Sequence, residues 1–297
     1  MRASPTLLML GASLLFALMG VCVKFASARY SAGEIVFYRS LVGFAMMMVT
    51  LRARGVSWRT DKPGMHFWRS ASGVTALCLW FYAIGTLPLA TAMTLNYMSS
   101  VWIALFLVGG AVLLGADRVD GRLVAAVLAG FAGVAMVLRP TIDQNQVWHG
   151  LAGLASGVLS AMAYLQVTAL GRAGEPGERV VLYFSFGGLL AGAGLALVSG
   201  GPHGHDGTGL ALLLAIGVLA TLAQWMMTRA YGTGATLGIA ALQYLGIAYS
   251  FLFGVWLFGD PVTPMAVAGM ALIVGAGVAA TLLRGGTPKG DATSTET

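Results

Sequence analysis

The side chains able to do chemistry in this 297-residue chain are few, and their placement argues against an enzyme. His66, His149, His203 and His205 are all expected in loops, and so are ten of the eleven acidic residues. Only Glu34 enters an apolar run, close to its end. Cys22 and Cys78 stand alone inside apolar runs and read as packing residues, without the spacing of a metal cluster or a disulfide framework. The sequence has no G-x-x-x-x-G-K-[ST] loop to cradle a phosphate, so ATP is not expected as an energy source. No catalytic residue, metal or cofactor is therefore expected.

Recognition is a different matter. Lys24 and Arg39 lie within apolar runs, where an ionisable group is a functional candidate by default. They can reach back to the interface, pair with Glu34, or attract a substrate carboxylate and latch an outer gate. Neutral polar groups form stripes at helical spacing: Asn96 with Ser99 and Ser100; Ser156, Ser160 and Tyr164; and Thr221, Gln224, Trp225 and Thr228. Amides and hydroxyls surrounded by lipid must find partners, so such stripes face either other helices or a wet cavity. The candidate substrate-binding set is Tyr82, Asn96, Ser99, Tyr164, Gln224, Trp225, Gln243 and Tyr244. A cavity lined by aromatics and a few donors suits an amphipathic, partly apolar solute. With Lys24 and Arg39 as its buried cations, a zwitterion fits better than a polyanion.

Lipid is what positions these groups. The chain is 58% hydrophobic and 9% charged, with mean hydropathy +0.82, whereas soluble domains carry about 25% charged residues. Crossing the hydrocarbon core takes about 20 mainly apolar residues. Ten segments qualify: 5–27, 32–51, 66–86, 91–114, 121–139, 150–171, 179–199, 208–229, 235–258 and 264–284. All nine prolines fall at or outside these ends, as expected of a residue that interrupts helices. If both termini are cytoplasmic, thirteen Lys and Arg residues lie inside and only Arg29 and Arg139 lie outside. That bias matches the positive-inside rule, and it accounts for the net charge of +6 without invoking nucleic acid. Trp58, Trp68, Trp148 and Trp256, near span ends, read as interfacial belt residues. The first span follows Arg2 and ends near Ala26-Ser27-Ala28, like a signal peptide. It is longer than the usual apolar core of about 7–15 residues, so it is expected to be retained.

The chain also repeats itself. An offset of 147 aligns Ala76/Ala223, Ala83/Ala230, Gly85/Gly232, Thr86/Thr233, Leu95/Leu242, Tyr97/Tyr244, Leu105/Leu252 and Phe106/Phe253, and it sets Asn96 against Gln243. Five spans per half is an odd number, so the second half must be inverted in the bilayer. The expected fold is an all-α integral membrane protein of ten transmembrane helices arranged as two inverted five-helix repeats. Residues 1–140 and 146–284 form the repeats and 285–297 a disordered cytoplasmic tail. Inverted repeats are a recurring transporter design, with the substrate near mid-membrane at the repeat interface.

Two five-span halves, Arg39 early in span two, and the Gly115-Ala116-Asp117 and Phe258-Gly259-Asp260 turns before each final Gly-rich span resemble the drug/metabolite transporter superfamily. More narrowly they resemble its EamA-type members, over residues 5–284, and look most similar to bacterial aromatic amino acid exporters. The resemblance implies a broad-specificity secondary carrier of the inner membrane that exports amino acids and related metabolites, with those small molecules and the lipid bilayer as its partners. A complete duplicated bundle can act as a monomer. Sister branches exporting other metabolites, a membrane-embedded enzyme and a channel are the alternatives.

Overall fold

A computed structural model describes residues 4–113, 146–232, 242–243 and 245–285, with scattered positions between 121 and 136. The described residues are helical, with no strand among them. In chain order the helices are α1 (Pro5–Ala26), α2 (Ala32–Ala53), α3 (Pro63–Thr86), α4 (Leu89–Tyr97), α5 (Ser99–Leu113), α6 (Val147–Arg172), α7 (Gly177–Val198), α8 (Gly207–Tyr231), α9 (Leu245–Phe258) and α10 (Pro264–Gly285). Five of them (α1, α2, α6, α7 and α8) are long and apolar enough to cross a membrane.

Local chemistry explains the boundaries. Pro5 and Pro63 occupy first-turn positions, where a missing N–H costs nothing. The Ser4 hydroxyl accepts from the Leu7 amide at 3.2 Å, and Asp206 Oδ1 accepts from the Gly209 amide at 2.7 Å. Ser31 and Glu34 make a reciprocal capping box at the start of α2.

Three expectations change. Span four is interrupted at Met98, which separates α4 from α5 and puts Asn96 and Ser99 on different helices. Span three starts earlier than hydropathy suggests, because Pro63 initiates α3; His66, expected in a loop, lies within that helix, and both it and Arg69 are buried. His149 likewise lies in α6 rather than a loop. Most of span five, the first part of span nine and the tail lie outside the described residues.

Helices of the first half pack mainly on helices of the second. The most extensive pairings are α2 with α7, α3 with α6 and α1 with α8; smaller ones join α2 to α8, α3 to α7, α1 to α9, α4 to α6 and α4 to α9. Small residues make the closest approaches, as expected where lipid offers no hydrophobic drive for association. A β-carbon on Gly157 would sit 2.5 Å from the Leu95 carbonyl oxygen, and one on Gly153 2.9 Å from a Leu95 methyl. Both therefore face α4. The belt expectation agrees with burial: Trp58, Trp68, Trp148 and Trp256 are all exposed on the outside of the bundle.

Candidate functional site

A cavity lies inside the bundle. One face of α3 supplies Arg69, Gly73, Leu77 and Trp80 to it, a helical periodicity that points four successive turns inward. Helices α1 and α2 contribute Phe16, Met19 and Arg39. The end of α4 contributes Asn96 and Tyr97; α6, α7 and α8 contribute Ser160, Tyr164, Phe184 and Gln224.

The polar groups are held by one another across the two halves. The Asn96 amide donates to Ser156 Oγ and Ser160 Oγ, each at 3.1 Å, and the Ser156 hydroxyl in turn donates to the Gly153 carbonyl at 2.6 Å. Tyr164 stacks on Tyr231 with ring centroids 5.1 Å apart and lies against Ser160 and Gln243. Arg39 Nη2 donates to Gln224 Oε1 at 3.5 Å. The Phe184 ring takes both guanidinium groups, with Arg39 Cζ at 4.9 Å and Arg69 Cζ at 4.4 Å from its centroid.

Of the residues expected to bind substrate, the structure thus brings Asn96, Tyr164 and Gln224 into one cavity, with Arg39 between them and Gln243 beside Tyr164. Ser99 is fully buried past the Met98 break and does not line the cavity. Tyr82 is 45% exposed and stacks on His149 outside it. Trp225 belongs to a different cluster, donating to Glu178 Oε1 at 3.1 Å beneath Arg54 and Arg229. Tyr244 lies outside the described residues.

Neither intramembrane cation pairs with Glu34, whose carboxylate is taken by its own cap and by His203 at 2.7 Å. Arg39 does not snorkel; it is 3% exposed and turned into the bundle. Arg69 is the buried, cavity-lining residue that sequence reasoning missed. It was counted with the cytoplasmic loop charges, although its spacing to Gly73, Leu77 and Trp80 marks the inward face of α3.

Each end of the bundle carries a polar tie between the halves. At one end Lys24 Nζ donates to the Leu87 carbonyl at 2.8 Å and stands 3.6 Å from Asp260, whose Oδ2 accepts from the Leu89 amide at 2.8 Å. At the other end Glu175 accepts from Thr60 and Arg179, both at 2.9 Å, and lies 3.3 Å from His66. Lys62 Nζ donates to the Ala173 carbonyl beside it. A second cavity, lined by Val167, Gly171, Glu175, Thr228 and Arg229 among others, lies further toward the Glu175 end along α6 and α8.

Burial alone would raise the Glu175 pKa, but the bonds from Arg179, Thr60 and His66 outweigh it and hold the carboxyl below its usual range. A depressed carboxylate contributes stability that is complete above its unfolded pKa and is lost as pH falls through the folded value. The stability difference between wild type and Glu175→Gln should be constant above about pH 5 and shrink as the pH passes below roughly 4. Thermal unfolding in detergent across that range checks this; a difference that grows on acidification would overturn it.

The first half of the chain, residues 3–139, matches the EamA-like transporter family. Over 277 residues the chain is 32% identical to the pseudopaline exporter CntI of Pseudomonas aeruginosa strain UCBPP-PA14, covering 93% of this chain and 95% of that one. The chain belongs to the EamA-like transporter family. It is also 26% identical over 256 residues to a riboflavin transporter of Rhizobium johnstonii, covering 83% of this chain and 80% of the relative. A solved crystal structure 21% identical shares the fold, with a TM-score of 0.70 over 97% of this chain and 100% of its own. This EamA-family chain is a multi-pass membrane transporter with a small-molecule cargo, and its relatives are named as an exporter and a transporter.

Proposed function

We propose that the chain is a secondary or facilitative carrier that exports amino acids and their close derivatives, aromatic and other apolar ones above all, across the bacterial inner membrane. The carrying observation is a cavity whose walls come from both halves of the chain, Asn96 and Tyr97 from one and Ser160, Tyr164 and Gln224 from the other. Phe16, Met19, Leu77 and Trp80 offer an apolar wall for an aromatic or aliphatic body.

Alternating access between two inverted repeats, 1–140 and 146–284, is the motion this reading requires. The helix pairing supports it: exchanging α1, α2 and α3 for α6, α7 and α8 turns α1 with α8 into α6 with α3, and leaves α2 with α7 unchanged. Helices α5 and α9 also begin within one residue of each other under the 147-residue offset. Polar ties at both ends, the Lys24–Asp260 pair and the Glu175 cluster, are suited to act as opposing gates. Both termini would then be cytoplasmic, with the Glu175 end inside. A relative named as a pseudopaline exporter favours outward transport, and a relative named as a riboflavin transporter favours a ringed cargo. Export of another small metabolite is the second reading, since those named cargoes are not amino acids.

Counterflow in proteoliposomes tests the proposal. Labelled phenylalanine and tryptophan, with their N-acyl derivatives, should exchange saturably. Asn96→Leu, which removes the amide joining α4 to α6, should slow exchange about tenfold, the equivalent of one well-placed hydrogen bond. Indifference to the whole panel would remove the amino acid assignment.

A further inference from the structure

We infer that the central cavity recognises a solute bearing two negative charges: a small molecule with an apolar body and either two carboxylates or one phosphate monoester. This rests on the carrier reading above and names its substrate class.

Arg39 and Arg69 are 3% and 2% exposed, on different helices, and both stand over the one Phe184 ring. No acidic residue is among the groups lining the cavity. Arg39 has one acceptor, Gln224 Oε1 at the long distance of 3.5 Å. Arg39 Nε, Arg69 Nε and Nη1, Gln224 Nε2 and Trp80 Nε1 are buried donors without an acceptor. Elsewhere the pattern is the reverse: Lys24 has Leu87 and Asp260, Arg29 has Asp206, Arg54 has Glu178, and Arg179 has Glu175. A charge buried in lipid without a counter-ion is strongly disfavoured, and cation–π contact with Phe184 offsets only part of that. The missing acceptors are what a cargo would bring.

The packing is adapted to seat the second arginine. Any β-carbon at Gly73 would collide with Arg69 Nη1, so a glycine there is what lets the guanidinium cross the face of α3. A planar guanidinium binds a carboxylate or a phosphate through two parallel N–H bonds. Two such groups match two anionic centres. The ammonium of a free amino acid, by contrast, finds no carboxylate in this cavity, so a masked amine suits it better.

The test uses the full chain in proteoliposomes and four probes that share a phenyl body. Phenylalanine is a zwitterion, N-acetylphenylalanine carries one negative charge, N-succinylphenylalanine carries two carboxylates, and phenyl phosphate carries a single phosphate. Exchange of N-succinylphenylalanine should exceed that of N-acetylphenylalanine by about tenfold or more. Arg69→Gln should collapse that ratio toward one. If this variant does not assemble, Gly73→Ala, which displaces Arg69 without removing it, is read by the same ratio. Phenyl phosphate exchanging fastest would support the inference and assign the charge to phosphate. Phenylalanine exchanging as fast as the dianions, or an unchanged ratio in Arg69→Gln, would overturn the dianion inference and leave the carrier reading standing. Absence of exchange for all four probes, with monodisperse protein, would overturn the dianion inference and the amino acid assignment together.

Discussion

A valine at Gly192 should cost the protein about 1–3 kcal/mol of stability, the usual range for forcing extra carbon into a filled interior. Gly192 lies where α7 meets α2, and a β-carbon there would stand 2.5 Å from the Phe37 amide nitrogen and 2.7 Å from its Cα. These are backbone atoms and cannot rotate away. The contact is also two-sided, since a β-carbon on Gly33 would lie 2.6 Å from the Ala196 amide nitrogen. Relief at one glycine would therefore tighten the other. Gly194, on the same helix with open space around it, is the internal control. Gly192→Val should lower the unfolding midpoint in detergent by several degrees, and Gly194→Val should leave it in place. Equal midpoints for the two variants would mean that the α2–α7 approach is not a close contact.

Asp260→Ala is the second large effect expected, and it concerns gating more than folding. Lys24 and Asp260 are 16% and 13% exposed, so removing the carboxylate strands a mostly buried ammonium. Stranding one member of a fully buried pair costs about 3–5 kcal/mol; the residual solvent contact here reduces that to about 2 kcal/mol. The alanine also frees the Leu89 amide at the start of α4, whose N-cap, Pro88, makes no side-chain bond of its own. The Asp260 end should loosen by roughly thirtyfold, read as faster reaction of an impermeant maleimide with a cysteine placed at Leu87, which is fully buried. Adding Lys24→Met to Asp260→Ala should restore part of the protection, because the stranded charge is then gone. Identical labelling of wild type, single and double variants would leave the tie without a gating role.

How much of this was legible beforehand follows from what hydropathy can register. Proline and glycine mark helix ends on any face, so the starts at Pro5 and Pro264 were readable from the chain. Ser31 and Glu34 also carried their capping box in plain sequence, three residues apart. What the chain hid was rotation. A helix in lipid is apolar on its outer and its packed face alike, so no polar stripe tells which way Arg39, Tyr82 or Trp225 turns. Arg39 and Gln224 turned inward, and Tyr82 and Trp225 did not. Pairing over long separations was equally invisible, as with Lys24 and Asp260 from opposite halves. The interruption at Met98 involves neither glycine nor proline, and so left no local mark.

That interruption has a mechanical outcome. A helix of nine residues is too short to hold itself together by backbone bonding alone, which takes about 12–15 even in favourable sequences. The order of α4 is borrowed: from a carboxylate near the opposite terminus at its first residue, and from two serines of α6 at Asn96. A segment this short takes its shape from its surroundings, all nine of its residues being buried, so a shift of the neighbouring helices also repositions the Asn96 and Tyr97 wall of the cavity.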